Sequence, residues 1–293
     1  MTKTKSSNMS KLIIMRGLPA SGKSTKAQEL LANGNTVRVN KDLLRTMLHY
    51  DKFNGVNEGI TRDTERLIAK TLLSLGTNVV VDDTNLNPGT YQSWVDLGKK
   101  LGANIETINI DVPVGVCIAR DMLREKKVGR DVIIRMALEH KEFLKGEKFI
   151  ICDLDGTICD VKHRLKYARG EEKDWDKFFA ELPNDTPRTE VLDQIHKLIA
   201  ETEARVMFVS ARPEKYREAT EEWFVKHGVG GHYHLLMRPN NDKRDDVLVK
   251  EEIYNKYLKN LDIVKVFDDR PKVIRMWRSK GLDVVDVGDG IEF

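Results

Sequence analysis

The 293 residues are 40% hydrophobic and 32% charged, which suits about two soluble domains with real cores. No apolar run approaches the roughly 18 residues of a membrane span, and the polar stretch Met1–Ser10 lacks the apolar core of a secretory signal, so it reads as a disordered arm. Net charge is +3 but uneven: through Glu147 there are 23 Lys/Arg against 17 Asp/Glu, and beyond it 26 against 29. A modestly basic first half permits a polyanionic partner, though ordinary variation between domains explains it equally well. Cys117, Cys152 and Cys159 show no metal-type spacing and suit a reducing compartment without structural disulfides.

Leu12-Ile13-Ile14-Met15 reads as a strand, Thr25–Ala32 as a helix, and between them runs Gly17-Leu18-Pro19-Ala20-Ser21-Gly22-Lys23-Ser24. This is a phosphate-binding loop in its strand–loop–helix context. Gly17 and Gly22 let backbone N–H groups converge on phosphate oxygens, and the helix N-terminus adds a positive dipole end. Lys23 reaches the β- and γ-phosphates of ATP and Ser24 is placed to hold Mg²⁺, with Ser21 and Thr25 beside them in the nucleotide site.

Thr36–Val39 is the next strand, ending at Asn40-Lys41-Asp42 with Arg45 one helical turn on. Ligands sit outside the carboxyl ends of parallel strands, so Asp42 is placed to accept the proton of an attacking hydroxyl. A helix N-cap is its competing role. Asn78–Asp82 forms a third strand, followed by Asp83-Thr84-Asn85-Leu86-Asn87-Pro88, where an aspartate could meet the water shell of Mg²⁺ and Thr84 and Asn85 the substrate. A polar turn capping the next helix is the plainer reading. Ile105–Ile110 ends at Asp111-Val112-Pro113, and a helix then carries Arg120 and Arg124 on one face, a cationic lid or simply a solvated basic face.

Taken in order, these motifs resemble the kinase domain of the bacteriophage-type polynucleotide 5′-kinase/3′-phosphatase family. The resemblance implies ATP-dependent transfer of phosphate to a 5′-hydroxyl of DNA or RNA. It makes Asp42 the general base, Lys23 and Ser24 nucleotide ligands, Arg45 a contact to the acceptor's 3′-phosphate, and Arg120 and Arg124 lid residues on the donor.

Val132–Leu144 reads as a closing helix and Lys145–Lys148 as a linker, placing the boundary near Glu147: an arm over 1–10, a kinase domain over 11–147 and a second domain over 148–293. The second domain opens on an apolar strand, Phe149-Ile150-Ile151-Cys152, that delivers Asp153-Leu154-Asp155-Gly156-Thr157. Residues two apart share a side, so both carboxylates can reach one site. One would be ionised as nucleophile or metal ligand and the other, with a raised pKa, would serve as acid/base.

This run resembles the haloacid-dehalogenase-type (HAD-like) phosphatases. The likeness implies attack by Asp153 on phosphorus, proton transfer by Asp155, and Mg²⁺ held by Asp153, Asp155, Asp268 and Asp269. It implies Ser210 on the phosphoryl group, Arg212 beside it, and Lys250 against the phosphoaspartate. It further implies Arg238 as a substrate arginine. Asp160–Pro187 departs from the phage pattern where a cap inserts. His163 and Arg164 there read equally as phosphate contacts or a surface pair, and Trp175, Phe178 and Phe179 read as core more readily than as a base-stacking platform.

Both halves alternate strands and helices, so the fold class is α/β: two domains, each with a mainly parallel sheet flanked by helices. The expected function is nucleic-acid end healing. RNA or DNA 5′-hydroxyl ends are phosphorylated, and 3′-phosphates, with 2′,3′-cyclic phosphates as a second class, are removed before a ligase joins the strand. The resemblance also implies a homo-oligomer, no membrane partner and a cytoplasmic location, the host's cytoplasm for a phage-encoded chain. A nucleoside or small-molecule kinase fused to a metabolic phosphatase is the rival on the same folds. A nucleic-acid-binding regulator without turnover is the rival of another class.

Overall fold

The computed structural model describes residues 9–32, 34–169, 172–229 and 233–289. The expected arm lies outside these over 1–8, whereas the Ser10 carbonyl accepts the Asn104 N–H at 2.8 Å. The chain divides into two units between Phe143 and Leu144.

In the first unit, β1 (Lys11–Arg16), β2 (Thr36–Val39), β3 (Asn78–Val81) and β4 (Asn104–Asn109) form one parallel sheet in the order β2-β3-β1-β4. Alternate residues of the strands face opposite ways. Leu12, Ile14, Val79 and Val81 pack with Ala69, Leu73 and Trp94 on one side, and Ile13, Met15 and Val80 pack with Ala27 on the other. The helices that cover the sheet are α1 (Lys23–Leu31), α2 (Lys41–His49), α3 (Gly55–Ser74), α4 (Pro88–Lys100), α5 (Val114–Met122) and α6 (Arg130–Glu139). Asn40, Asn54 and Asn87 cap α2, α3 and α4, each side chain accepting a main-chain N–H of the first turn. The helix expected over Val132–Leu144 is α6 followed by a tight turn at Lys141–Leu144, because the His140 main chain leaves helical geometry.

In the second unit, the strands are β5 (Lys148–Cys152), β8 (Arg205–Pro213), β9 (Tyr233–Arg238), β10 (Asp262–Asp268) and β11 (Val284–Asp286). They form a parallel sheet in the order β11-β10-β5-β8-β9. β5 is the central strand, and chain order reverses on either side of it. That reversal opens a crevice at the carboxyl ends of β5, β8 and β10. A two-stranded antiparallel pair, β6 (Cys159–Asp160) with β7 (Thr186–Pro187), and the short helix α7 (Trp175–Ala180) form the insertion beside this crevice. α8 (Thr189–Thr202), α9 (Arg217–Lys226), α10 (Asp246–Ile253) and α11 (Pro271–Ser279) complete the unit.

Candidate active sites

The turn from β1 into α1 is built by backbone constraint. A Cβ on Gly17 would sit 2.8 Å from both the Ile110 carbonyl oxygen and Ser21 Oγ, and Gly22 has φ of +104°, a region L side chains rarely adopt. The Gly17 N–H donates to the Thr84 carbonyl at 3.2 Å, so the turn after β3 braces the loop. Lys23 is buried, and its ammonium donates to the carbonyls of Gly17 (3.1 Å) and Leu18 (2.7 Å). Burial lowers its pKa to about 8, against the opposing field of Asp82. Ser24, Thr25, Arg120 and Arg124 line a cavity of about 420 Å³ over this loop. Arg120 donates to the Ser21 carbonyl at 3.1 Å. Arg124 does not share a helical face with Arg120, because α5 stops at Met122. It sits in the next turn, 3.8 Å from Asp121, whose carboxylate also accepts the N–H groups of Val128 and Gly129.

Carboxylates follow the carboxyl ends of β2 and β3 on the same sheet. Asp42 is not the cap of α2, since Asn40 fills that position. The Asp42 carboxylate is 81% exposed and its one described ion pair is to Arg45 at 2.6 Å. Arg45 also donates to both carboxylate oxygens of Glu58 on α3 and stacks on the Phe53 ring at 5.5 Å. Asp83 is buried and accepts the Lys41 N–H at 3.1 Å. Burial raises Asp83, and burial together with the Asp83 charge raises Glu65 to about 9. Asn85 turns inward: its amide donates to the Met15 carbonyl at 2.8 Å, and the residue is 3% exposed. It braces β1 against the turn and does not face open space.

In the second unit, the Asp153 N–H is held by the Phe267 carbonyl at 3.0 Å, which fixes the end of β5 to β10. Asp153, Asp268 and Asp269 are all buried, and one carboxylate oxygen from each lies within 4.8 Å of the others. The Lys250 ammonium is 2.9 Å from both Asp153 and Asp268, and the Trp277 indole donates to Asp268 at 3.1 Å. Burial, then the Asp268 and Asp269 charges, push Asp153 up, with Lys250 opposing. Asp269 rises to about 6, again mainly through burial. Three buried carboxylates facing one ammonium are short of positive charge, which fits a hard divalent cation such as Mg²⁺.

Asp155 departs from expectation. Its carboxylate is not in that cluster. Arg164 reaches it at 2.5 Å, and Arg212 donates through Nε at 3.1 Å and Nη2 at 2.5 Å. Burial would raise Asp155, but the two guanidiniums override it and hold the group well below the usual carboxylate range. Asp155 is thus held ionised by its guanidiniums, whereas burial pushes Asp153 up against the field of Lys250. The cause is local: β5 ends at Cys152, so strand alternation no longer governs where Asp155 points, and buried arginines draw it away.

Profiles of two families match the chain: the AAA domain over residues 12–143 and the polynucleotide kinase PNKP phosphatase domain over residues 147–292. A bifunctional polynucleotide kinase/RNA ligase of Autographa californica nuclear polyhedrosis virus is 30% identical over 304 aligned positions, covering 94% of this chain and 42% of the relative. Residues 147–292 thus match the PNKP phosphatase domain and residues 12–143 the AAA domain. The L-seryl-tRNA(Sec) kinase of Methanococcus maripaludis is 28% identical over 53% of this chain and 61% of its own length. The chain thus spans less than two thirds of either curated relative. A solved Pnkp1/Rnl/Hen1 RNA repair complex contains a chain that is 26% identical, with full coverage of both chains and a TM-score of 0.44.

Several residues named from motifs have partners that motifs do not show. Arg164 is no surface residue: it is fully buried, donating to Asp185 at 2.6 and 2.5 Å as well as to Asp155. His163 beside it is more open and lies 3.7 Å from Asp185. Arg212 also reaches Asp185, at 3.2 Å, and its main-chain N–H donates to Ser210 Oγ at 3.1 Å. Asp82 and Arg38 form an ion pair of 2.5 Å next to Ser24, and one Asp82 oxygen is buried with no hydrogen-bond partner. Arg238 donates to the main-chain carbonyls of Ala211, Asp242 and Arg244, leaving its charge without a hydrogen-bonded carboxylate among the described residues.

Proposed function

We propose that this chain heals broken polynucleotide ends, phosphorylating 5′-hydroxyls with ATP in the first unit and removing 3′-phosphates in the second. The observation that carries the proposal is the pairing in one chain of a phosphate loop, on a sheet whose neighbouring strand β2 leads to an exposed carboxylate, with a buried aspartate–lysine cluster suited to phosphate hydrolysis. In the kinase unit, Lys23, Arg120 and Arg124 would neutralise the triphosphate, and Asp42 would take the proton of the attacking 5′-hydroxyl as ADP leaves. Arg45, fixed by Glu58, would orient the acceptor, with Asp83 and Thr84 supporting the same edge. Ser24 would be the loop's Mg²⁺ ligand.

In the phosphatase unit, the ionised Asp153 carboxylate would attack phosphorus and the 3′-oxygen would leave with a proton. A divalent cation among Asp153, Asp268 and Asp269 would supply the charge that keeps Asp153 ionised. Lys250 would stabilise the negative charge that builds on the acyl phosphate. Ser210 and Arg238 would hold the phosphate and the strand next to it. Asp155, stripped of its proton by Arg164 and Arg212, suits the second half of the cycle, in which it takes a proton from attacking water. Its acid role in the first half requires those guanidiniums to turn toward the substrate phosphate, which their charge favours. The products are ends that a ligase can join.

Two variants separate the sites. On an oligonucleotide with a 5′-hydroxyl and a 3′-phosphate, Lys23→Ala is expected to abolish 5′-labelling while phosphate release continues, and Asp153→Asn to do the reverse. A folded variant of either kind that lost both activities would refute the two-site reading.

A further inference from the structure

The crevice of the second unit widens into an open cleft of about 1120 Å³ that reaches from Asp155 and Arg238 to α7. The chain has four tryptophans. Trp94, Trp223 and Trp277 are at most 1% exposed, whereas Trp175 is 42% exposed and lines this cleft. An indole face left open in a polar cleft needs a reason, because its burial would be favourable by a few kcal/mol.

The ring is held in place. Trp175 stacks on Phe179 with centroids 6.2 Å apart and planes at 28°, and Phe179 continues to Tyr216 at 4.9 Å and 31°. Phe178 is buried beneath, edge-on to Trp175 and Phe179. Its ring carries the Arg164 guanidinium at 4.2 Å, and Arg164 grips Asp155. The aromatic ladder is therefore anchored to the reaction centre through two packed residues. Asp174 caps α7 by accepting the Lys177 N–H at 3.0 Å, and Lys215 ties Asp176 of α7 to the turn that carries Tyr216.

Cations flank the ladder. The Lys173 ammonium lies 5.7 Å from the Trp175 centroid, and the Arg238 head, satisfied only by main-chain carbonyls, lines the same cleft. A rigid, partly exposed indole beside cations, on the approach to a phosphate-hydrolysing centre, has the features of a single-strand platform: bases stack on the ring while cations follow the backbone.

Building on the phosphatase reading above, we propose that Trp175, backed by Phe179 and Tyr216, is a specificity-determining platform on which a nucleobase at the phosphate-bearing end stacks. It selects polynucleotide 3′-phosphates over small phosphate monoesters. Every base offers a π face, so the platform selects nucleic acid without selecting sequence.

The test compares phosphate release from a 3′-phosphorylated single-stranded oligonucleotide with hydrolysis of p-nitrophenyl phosphate in Mg²⁺. A base–aromatic stack is worth roughly a tenfold effect or more. Trp175→Ala should lower the oligonucleotide-to-p-nitrophenyl phosphate ratio of kcat/KM by about tenfold, through KM, and Trp175→Phe should restore most of it. In full-length Asp153→Asn, the 3′-phosphorylated oligonucleotide should quench tryptophan emission, and the same strand with abasic sites at its 3′ end should not. An unchanged ratio, or equal losses on both substrates, overturns the platform and leaves the phosphatase reading standing. Wild-type protein that hydrolyses p-nitrophenyl phosphate but no oligonucleotide overturns both.

Discussion

Arg164→Met removes one of the two guanidiniums that hold Asp155 and Asp185. Both side chains of the Arg164–Asp185 pair are fully buried, and Arg212 would be the one arginine left between the Asp185 and Asp155 carboxylates among the described residues. Breaking a buried ion pair from one side costs about 3–5 kcal/mol, because the abandoned charge stays desolvated. Each kcal/mol moves the melting temperature of a unit of this size by about 2–4 °C, so the second unit should melt roughly 6–20 °C lower. The penalty also has a pH signature. Arg164 helps depress the pKa of Asp155, so the stability it confers is present above the ordinary carboxylate pKa and is lost as pH falls through the folded value. The difference between wild type and variant should therefore shrink on acidification. Calorimetry of the full chain from about pH 7 down to about pH 2 measures both effects, the shrinkage setting in only below about pH 4, and adding Asp185→Leu to Arg164→Met should recover part of the loss. A shift under about 2 °C, or a penalty that grows as pH falls, would show that the cluster is not held by these charges.

Asp42→Asn should lower 5′-phosphorylation by about 10²–10⁴-fold with little change in melting temperature, since the carboxylate is mostly exposed and caps nothing; a near-normal rate would deny it the base role. Gly156 has φ of +84°, and a Cβ there would lie 2.1 Å from Asp269 Oδ2, so Gly156→Ala should abolish phosphate release and leave 5′-phosphorylation intact. Unimpaired release would mean that the turn tolerates a shift of Asp269. Glu65 has its folded pKa raised by burial to about 9, so its neutral form favours folding and stability is lost as pH rises from about 4.5 toward 9. Glu65→Gln should flatten that decline in thermal melts of the first unit, and an unchanged slope would place the pH dependence elsewhere.

Residues that act within a few positions of a strand end were legible in the sequence. The phosphate loop, Asp42 and the Asp153 turn each follow an apolar run directly, and parallel-sheet topology puts every such end at one edge. What escaped is contributed across the chain by segments without a periodic signal. Arg164 sits in a six-residue 3₁₀ segment, Lys162–Tyr167, and its partner Asp185 follows a second short turn, so neither shows helical or strand spacing. Glu58 and Glu65 lie on the 20-residue α3, where acidic side chains look like ordinary solvent-facing residues until the fold buries Glu65 against Asp83. β9 was detectable as the apolar run Leu235-Leu236-Met237 ahead of Pro239, which motif reading passed over. Asp155, Arg164 and Arg212 were each named, but nothing in the local sequence pairs them, and a pKa depends on such neighbours.

The most direct test of the account is one incubation of the full chain with labelled ATP, Mg²⁺ and an oligonucleotide bearing a 5′-hydroxyl and a 3′-phosphate. End-group analysis should find label at the 5′ end and a free 3′-hydroxyl on the same strand. Label transferred to a nucleoside or other small acceptor while both oligonucleotide ends stay unchanged would contradict it.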